Sequence, residues 1–358
     1  MEKVKNKKSF GTRLKKDLKR NYGAYLLFLP VAVYYILFAY KPMYGILVAF
    51  KDYVPMKGIW GSPWTSHYGF GHFISFFQSF YFGRVLKNTL IISLSTLAVT
   101  FPAPIILALL LNEVRNKKFK KCIQTLSYMP HFISLVVICS MIRLFVADNG
   151  IVTGLLKSLG IVDGTYSLLS VENYFVPIYV ISGLWQTVGW SAIIYISALS
   201  GIDQGLYEAA RIDGANKWKQ MVHVTLPGLM PTIVMLFILR IGQVMSIGHE
   251  KIILLYNEEI YSTADVISSF VYRKGLLEYN WGFSTAVGLF NSVINFVLVI
   301  SANKISRKTI DMGRNQPRSG QRVDDRGEKA DETAQKRGKL WNIKVKGIPC
   351  LRCSITSY

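Results

Sequence analysis

Asp203-Gln-Gly-Leu-Tyr-Glu-Ala-Ala-Arg-Ile-Asp-Gly-Ala-Asn-Lys-Trp-Lys-Gln-Met-Val-His-Val-Thr-Leu-Pro227 is a polar island between two long apolar runs. Its residues spell two short helices. Asp203 is placed to cap a helix through Tyr207, Glu208, Ala209, Ala210 and Arg211. Gly214 suits the left-handed residue that ends it. A second helix is predicted over residues 216–223. Leu226-Pro227 then stops the segment and starts the next apolar run at a helix N-terminus. Ala209 and Ala210 are small enough for another protein surface to approach the backbone. The predicted product is a helix–Gly turn–helix element beside a membrane.

The membrane is implied by clustering rather than by bulk composition. The chain has 358 residues and is 51% hydrophobic, unremarkable for a soluble domain. Its apolar residues, however, fall in runs of about 20, the length that crosses a bilayer core. Six spans are predicted: residues 22–40, 88–111, 123–146, 174–199, 229–248 and 283–303. Pro30, Pro102, Pro104 and the Pro130-His131 pair inside them are tolerable as kinks. The segment 112–121 and the two ends are basic, and 203–227 carries Arg211, Lys217 and Lys219. The stretches 41–64, 147–173 and 249–282 are less so, although Lys41, Lys51, Lys57 and Arg273 fall there. That bias puts both termini and the island on the cytoplasmic side.

The chain divides into a basic arm (1–21), a six-helix membrane domain (22–306) and a polar tail (307–358). The arm reads equally as an amphipathic surface helix, with Phe10, Leu14 and Leu18 at helical spacing, or as a disordered topology signal. The first apolar run is long and lacks a small-residue cleavage site, so it reads as an anchor. The tail has too little apolar content for a core; Leu340-Trp341 and Ile343 offer it a weak surface contact.

A net charge of +21 invites a nucleic-acid reading, but the basic residues lie at the ends and in alternate loops. Of four cysteines, Cys139 lies in an apolar run, and Cys350-Leu-Arg-Cys353 is a lone pair without a second ligand set. No phosphate-binding GxxxxGK[ST] loop and no His-Glu-x-x-His helix occurs, so no catalytic residue, metal site or bound cofactor is predicted. A gradient-driven secondary transporter would need carboxylates within its spans, and none clearly has one; Glu250 sits at a rim. A membrane-bound enzyme lacks a defensible site.

Glu208-Ala209-Ala210, Asp213-Gly214-Ala215 and Leu226-Pro227, at this spacing between two spans, resemble the EAA loop of bacterial ABC importer permeases. The resemblance covers roughly residues 22–306. Residues 40–64, with Tyr40-Lys-Pro-Met-Tyr-Gly and Lys57-Gly-Ile-Trp-Gly-Ser-Pro-Trp64, resemble the permeases that handle complex oligosaccharides. It implies an all-α polytopic permease in a bacterial cell membrane. It also implies that the loop docks into a cleft of a cytoplasmic ATPase, with a charged contact from Glu208 unless that residue pairs with Arg211 or groups near Arg240. The implied partners are a second homologous permease, two ABC ATPases carrying the ATP and magnesium, and an extracytoplasmic solute-binding lipoprotein. The tail departs from the family, whose chains usually end soon after the last span.

Polar residues within spans are the candidates for a saccharide path, since burying them is costly. They are Gln186 and Trp190, Arg240 and Gln243 with Ser246 beyond, and Asn291 and Asn295. Amides and charges with aromatic faces suit sugars; the competing reading is interhelical glue. Arg143 and Glu250 read as interfacial. Which sugar is carried, charged uronides included, is left open.

Overall fold

Apolar runs in lipid must satisfy their own backbone hydrogen bonds, and a helix does so within one segment. The computed structural model describes residues 17–314. The expectations for the N-terminal arm before residue 17, for the tail beyond 314 and for Cys350-Leu-Arg-Cys353 lie outside the described residues. Among the described residues the regular elements are helical, apart from one isolated bridge between Lys51 and Trp64.

Helix α1 runs Tyr22–Phe50 and passes through Lys41-Pro42, where the sequence predicted an end. The ladder widens into a π turn over Tyr35–Tyr40, and Pro42 falls in the first turn of the next α segment, where no N–H donor is needed. No residue from Tyr22 to Met43 is buried, so the apolar faces of α1 are open. The following stretch is folded rather than loose. Lys51 is 5% exposed, donates to the carbonyls of Ile59 (2.8 Å) and Ser62 (3.1 Å), and lies over the Trp64 ring. Helix α2, Gly71–Gln78, places Phe76 among Phe82, Phe270, Phe283 and Phe290.

Helix α3, Tyr81–Glu113, is interrupted at Phe101 ahead of Pro102, as its prolines predicted. The predicted third span, with Pro130-His131 inside it, is two helices, α4 (Lys117–Tyr128) and α5 (Leu135–Phe145), bent by 100°. Pro130 occupies a 3₁₀ turn between them, and Ser134 restarts the helix by accepting from the Val137 amide (3.4 Å). Helix α6 is Ile151–Ser158 and α7 is Glu172–Ser200. Gly189 of α7 lies so close to the Ser127 carbonyl that any side chain there would collide with α4.

Next come α8 (Gln204–Ile212) and α9 (Lys217–Ile241). Leu226-Pro227 does not stop the chain, contrary to the sequence reading. A π turn over Met221–Thr225 again precedes the proline, and α9 continues through it. The predicted fifth span also ends early, at Ile241, with Gln243 and Ser246 in the turns that follow.

The largest departure lies beyond those turns. Residues 249–282 were predicted to be an outer loop. They fold as α10 (His249–Leu255), α11 (Tyr261–Ala264) and α12 (Ile267–Tyr272), ahead of the final helix α13 (Trp281–Arg314). Ile252, Ile260, Ala264 and Val266 are fully buried in a core shared with Ile92, Ile138, Cys139 and Phe175. Side chains of α3 satisfy the backbone of this insertion. Asn88 donates to the carbonyls of Ser262 (2.8 Å) and Asp265 (3.0 Å), and the Thr89 hydroxyl accepts from the Ile267 amide (2.9 Å). Its buried acid is paired: Asp265, 2% exposed, holds Arg273 at 2.5 Å.

Four helices among the described residues are long and apolar enough to cross a membrane: α1, α3, α9 and α13 through Lys304. The bent α4–α5 pair makes a fifth if counted as one broken span. Helix α7, 29 residues and about 43 Å long, has the reach, but mixes Ser, Gly, Gln, Tyr and Trp with its aliphatics. Residues from Asn303 onward form a separate unit, described as far as Arg314.

Candidate coupling surface and translocation path

The polar island folds into a braced wedge. Asp203 accepts from the Gly205 amide (2.9 Å) and so starts α8. Gly214 takes φ +75° at its end. The Ala215 amide reaches back to the Ala210 carbonyl (2.9 Å) and the Gly214 amide to that of Arg211 (3.0 Å). This is the paired hydrogen-bond pattern of a Schellman turn. Asn216 caps α9 through the Lys219 amide (2.9 Å). Empty space surrounds the Cβ position of Gly214, so its constraint comes from backbone conformation alone.

Three residues that the sequence reading passed over lock the two halves together. The Tyr207 hydroxyl meets the Thr225 hydroxyl at 3.0 Å, joining α8 to the π turn of α9. Gln220 donates to the Ala215 carbonyl (2.8 Å). Thr225 and Gln220 are buried. A buried polar residue inside a polar segment was the available signal for Gln220, but exposure cannot be read from such a segment.

The outer face of the wedge stays open. Glu208, Ala209, Asp213 and Gly214 are exposed, while Ala210, Ala215 and Leu226 are half-buried and Pro227 is exposed. Glu208 forms no ion pair with Arg211 or Arg240 among the described residues. Ile212 is 87% exposed, Trp218 68% and Leu206 54%. These large apolar side chains stand at the polar end of the bundle, where an exposed apolar patch marks an interaction surface.

The path candidates separate into three groups. Arg240 and Gln243 line a cavity of about 200 Å³ with Ser93, Thr96, Thr100 and Tyr179. Arg240 and Thr100 also line a second cavity of about 230 Å³ with Trp190 and Tyr195. Arg240 is thus common to both cavities, with Gln243 on the first and Trp190 on the second. Trp190 stacks on His131, ring centroids 4.6 Å apart, because the α4–α5 bend turns His131 inward. Gln186 lines neither cavity.

Asn295 departs from the path reading. Its side chain accepts from the Met245 amide (3.1 Å) and donates to the Ser246 hydroxyl (2.8 Å), and so holds the unwound segment after α9. Glue is the role this geometry supports, since broken backbone at membrane depth needs partners. Asn291, one turn earlier, has a buried side-chain oxygen without a partner and lies outside both cavities. Arg143 does not snorkel freely either; it reaches the Tyr256 carbonyl (3.4 Å). Among the described residues no group of His, Cys, Asp and Glu is gathered for a metal ion.

Comparison with known proteins agrees with this architecture. A family profile described as "binding-protein-dependent transport system inner membrane component" matches residues 100–311. Protein LplB of Bacillus subtilis (strain 168) is 43% identical over 292 residues, covering 81% of this chain and 90% of LplB. The polygalacturonan/rhamnogalacturonan transport system permease protein YteP of the same organism is 43% identical, covering 79% of this chain and 87% of YteP. A crystal structure of a bacterial ABC transporter involved in import of the acidic polysaccharide alginate superposes with TM-score 0.75 at 40% identity. It covers 83% of this chain and 99% of that one. A second structure of a bacterial alginate ABC transporter, in complex with an alginate pentasaccharide-bound periplasmic protein, matches equally well.

Proposed function

The chain belongs to the binding-protein-dependent transport system inner membrane component family, and on that premise we propose that it is the permease subunit of an ATP-driven saccharide importer. The observation that carries this reading is the wedge of α8 and the start of α9. It is rigid, capped at each helix start, and presents Leu206, Ile212 and Trp218 to whatever lies beyond the bundle.

The mechanism follows from that rigidity. Two ATPase subunits bind and hydrolyse ATP, and this chain holds neither nucleotide nor metal. As they close, their clefts shift the wedge, with Glu208 to Ala215 in the cleft. The Tyr207–Thr225 and Gln220–Ala215 contacts pass that displacement from α8 into α9 as a rigid body. The walls carrying Trp190, Arg240 and Gln243 then open toward a solute-binding protein outside. Such alternating access needs a bistable bundle.

Six crossings support this arrangement: the four apolar helices, the broken α4–α5 pair and α7. An even number of crossings would bring both termini to one side, and the basic ends support the cytoplasmic side of a bacterial membrane. One subunit supplies half of a pathway, and a homologous permease supplies the other half; the open faces of α1 leave room for such a neighbour. Saccharide as cargo is supported by the relatives' transport of polygalacturonan and alginate.

The test is purification of the tagged chain from its own membranes. An ATPase is expected to co-purify and uptake to require ATP. Gly214→Val forces a β-branched residue to positive φ, costing about 1–3 kcal/mol of local strain. It should cut ATPase retention and uptake by about tenfold while the rest of the bundle stays folded. Uptake that persists without an ATPase and collapses with the proton gradient would replace this reading with a secondary transporter.

A further inference from the structure

The two cavities beside Trp190 have an unbalanced charge. Their walls come from three helices and a turn: α3 gives Ser93, Thr96 and Thr100, α7 gives Tyr179, Trp190 and Tyr195, the last turn of α9 gives Arg240, and the turns after it give Gln243. Among the described residues lining them, Arg240 is the one charged side chain. It lines both cavities, as does Thr100. No carboxylate faces it: the ion pairs among the described residues do not include Arg240. Arg240 is exposed, and an unpaired ionisable side chain on a spanning helix marks a place where an anion is taken up.

The neighbours specify what sort of anion. Thr96 has a buried hydroxyl without a partner, on the wall of the cavity that Arg240 shares. Ser93 is already committed to the Val244 carbonyl. Gln243 is exposed and keeps its amide free of intramolecular partners among the described residues. Trp190 supplies an aromatic face, held by the stack on His131 and an edge contact with Phe132 at 5.6 Å. An aromatic face suits a pyranose ring, a hydroxyl and an amide suit sugar hydroxyls, and a guanidinium suits a carboxylate through two parallel hydrogen bonds.

We propose that the cargo is an acidic oligosaccharide of the uronate type, and that Arg240 is the residue of the path that binds its carboxylate while Trp190 receives the ring. This rests on the importer reading and narrows it: the permease itself, and not only an external binding protein, discriminates by charge. Arg240 ends α9, the helix that carries the wedge at its other end, so motion of the wedge moves the carboxylate contact.

The experiment uses the importer complex purified from its own cells and reconstituted in liposomes. The probes are trigalacturonate and its fully methyl-esterified form, nearly the same shape without the charges. The wild type should take up the acid faster than the ester. R240Q should reduce acid uptake by about tenfold and leave ester uptake within about twofold, collapsing the ratio. R240K, which keeps the charge and loses the fork, should retain an intermediate ratio. The binding protein is the same in every arm, so a change of ratio belongs to the permease. An unchanged ratio in R240Q overturns the proposal. So does equal loss of acid and ester uptake, or loss of the ATPase from R240Q complexes, either of which makes Arg240 a scaffold residue. ATP-dependent uptake of other sugars with neither probe carried removes the acidic cargo alone. A complex without ATPase and without ATP-dependent uptake removes the importer reading and this inference with it.

Discussion

Two polar interruptions divide the second half of the chain, residues 203–227 and 249–280, and in sequence they look alike. Each is charged, each lies between apolar runs and each contains short helices. In the structure they are opposites. The first stands outside the bundle and exposes Leu206, Ile212 and Trp218. The second folds back into the bundle and buries Ile252, Leu255, Ile260, Ile267 and Phe270. The lesson concerns what charge can specify. A lysine or aspartate records that a segment has polar groups, but whether those groups meet water or protein depends on what the intervening apolar residues can reach. In the first segment Leu206, Ile212 and Trp218 stay exposed, and side-chain hydrogen bonds from Asp203, Tyr207, Asn216 and Gln220 hold its shape. In the second, α3, α5 and α7 supply an apolar surface, and Asn88, Thr89 and Arg143 hydrogen-bond its backbone.

The contrast breaks most sharply at Phe270. It is 1% exposed and sits beside Phe76 and Phe283. Phe270→Ala should cost about 3–5 kcal/mol, seen as a large drop in the thermal midpoint of the purified complex in detergent. If the drop is negligible, residues 249–280 are a peripheral loop after all.

A smaller effect is expected from pH. Lys251 is 8% exposed, donates to the Tyr179 carbonyl (2.9 Å) and has no carboxylate partner. Burial pushes its ammonium from the ordinary 10.5 down to about 8. The folded pKa therefore lies below the unfolded one. Between about pH 8 and 10.5 the unfolded chain binds more protons, and stability rises with pH by up to about 1.4 kcal/mol per unit. Below that window both states are protonated and the contribution is flat. Tyr256, whose phenol burial pushes up to about 12, opposes the trend only above about pH 10. The midpoint should climb from pH 8 to 9.5 in the native protein, and Lys251→Met should flatten the climb. A flat native profile would mean that Lys251 meets water.

The smallest stability effect belongs to the wedge. Tyr207→Phe removes one hydroxyl contact and should cost about 0.5–1.5 kcal/mol. Its effect on transport should exceed its effect on stability, because the bond joins the two halves that must move together. Uptake and ATPase stimulation measured on the same preparation check this; if coupling is untouched, the Tyr207–Thr225 bridge is not part of the transmission.

Much of the molecule was legible before folding. Asp203 and Gly214 announce a helix start and a left-handed stop because those two chemistries have few other uses, and both geometries are present. The apolar runs announce spanning helices, since backbone in lipid has no alternative partner. Their ends were less legible. Pro42 and Pro227 read as breaks, yet a π turn ahead of each proline absorbs the missing N–H and keeps the helix whole. Of the path candidates, Gln243 and Trp190 line cavities that share Arg240, whereas Asn295 serves the backbone of the segment after α9.

Sequence alone determined the all-helical membrane class, the family resemblance and the shape of the wedge. These depend on local chemistry: capping, glycine conformation, and runs of apolar residues whose length can be counted. Only the tertiary structure decided that residues 249–280 are core, that the third apolar run bends by 100°, and that Tyr207, Gln220 and Thr225 brace the wedge. Those outcomes depend on which surfaces distant helices bring alongside, and burial is a property of the neighbours a residue acquires, which the residue itself does not carry.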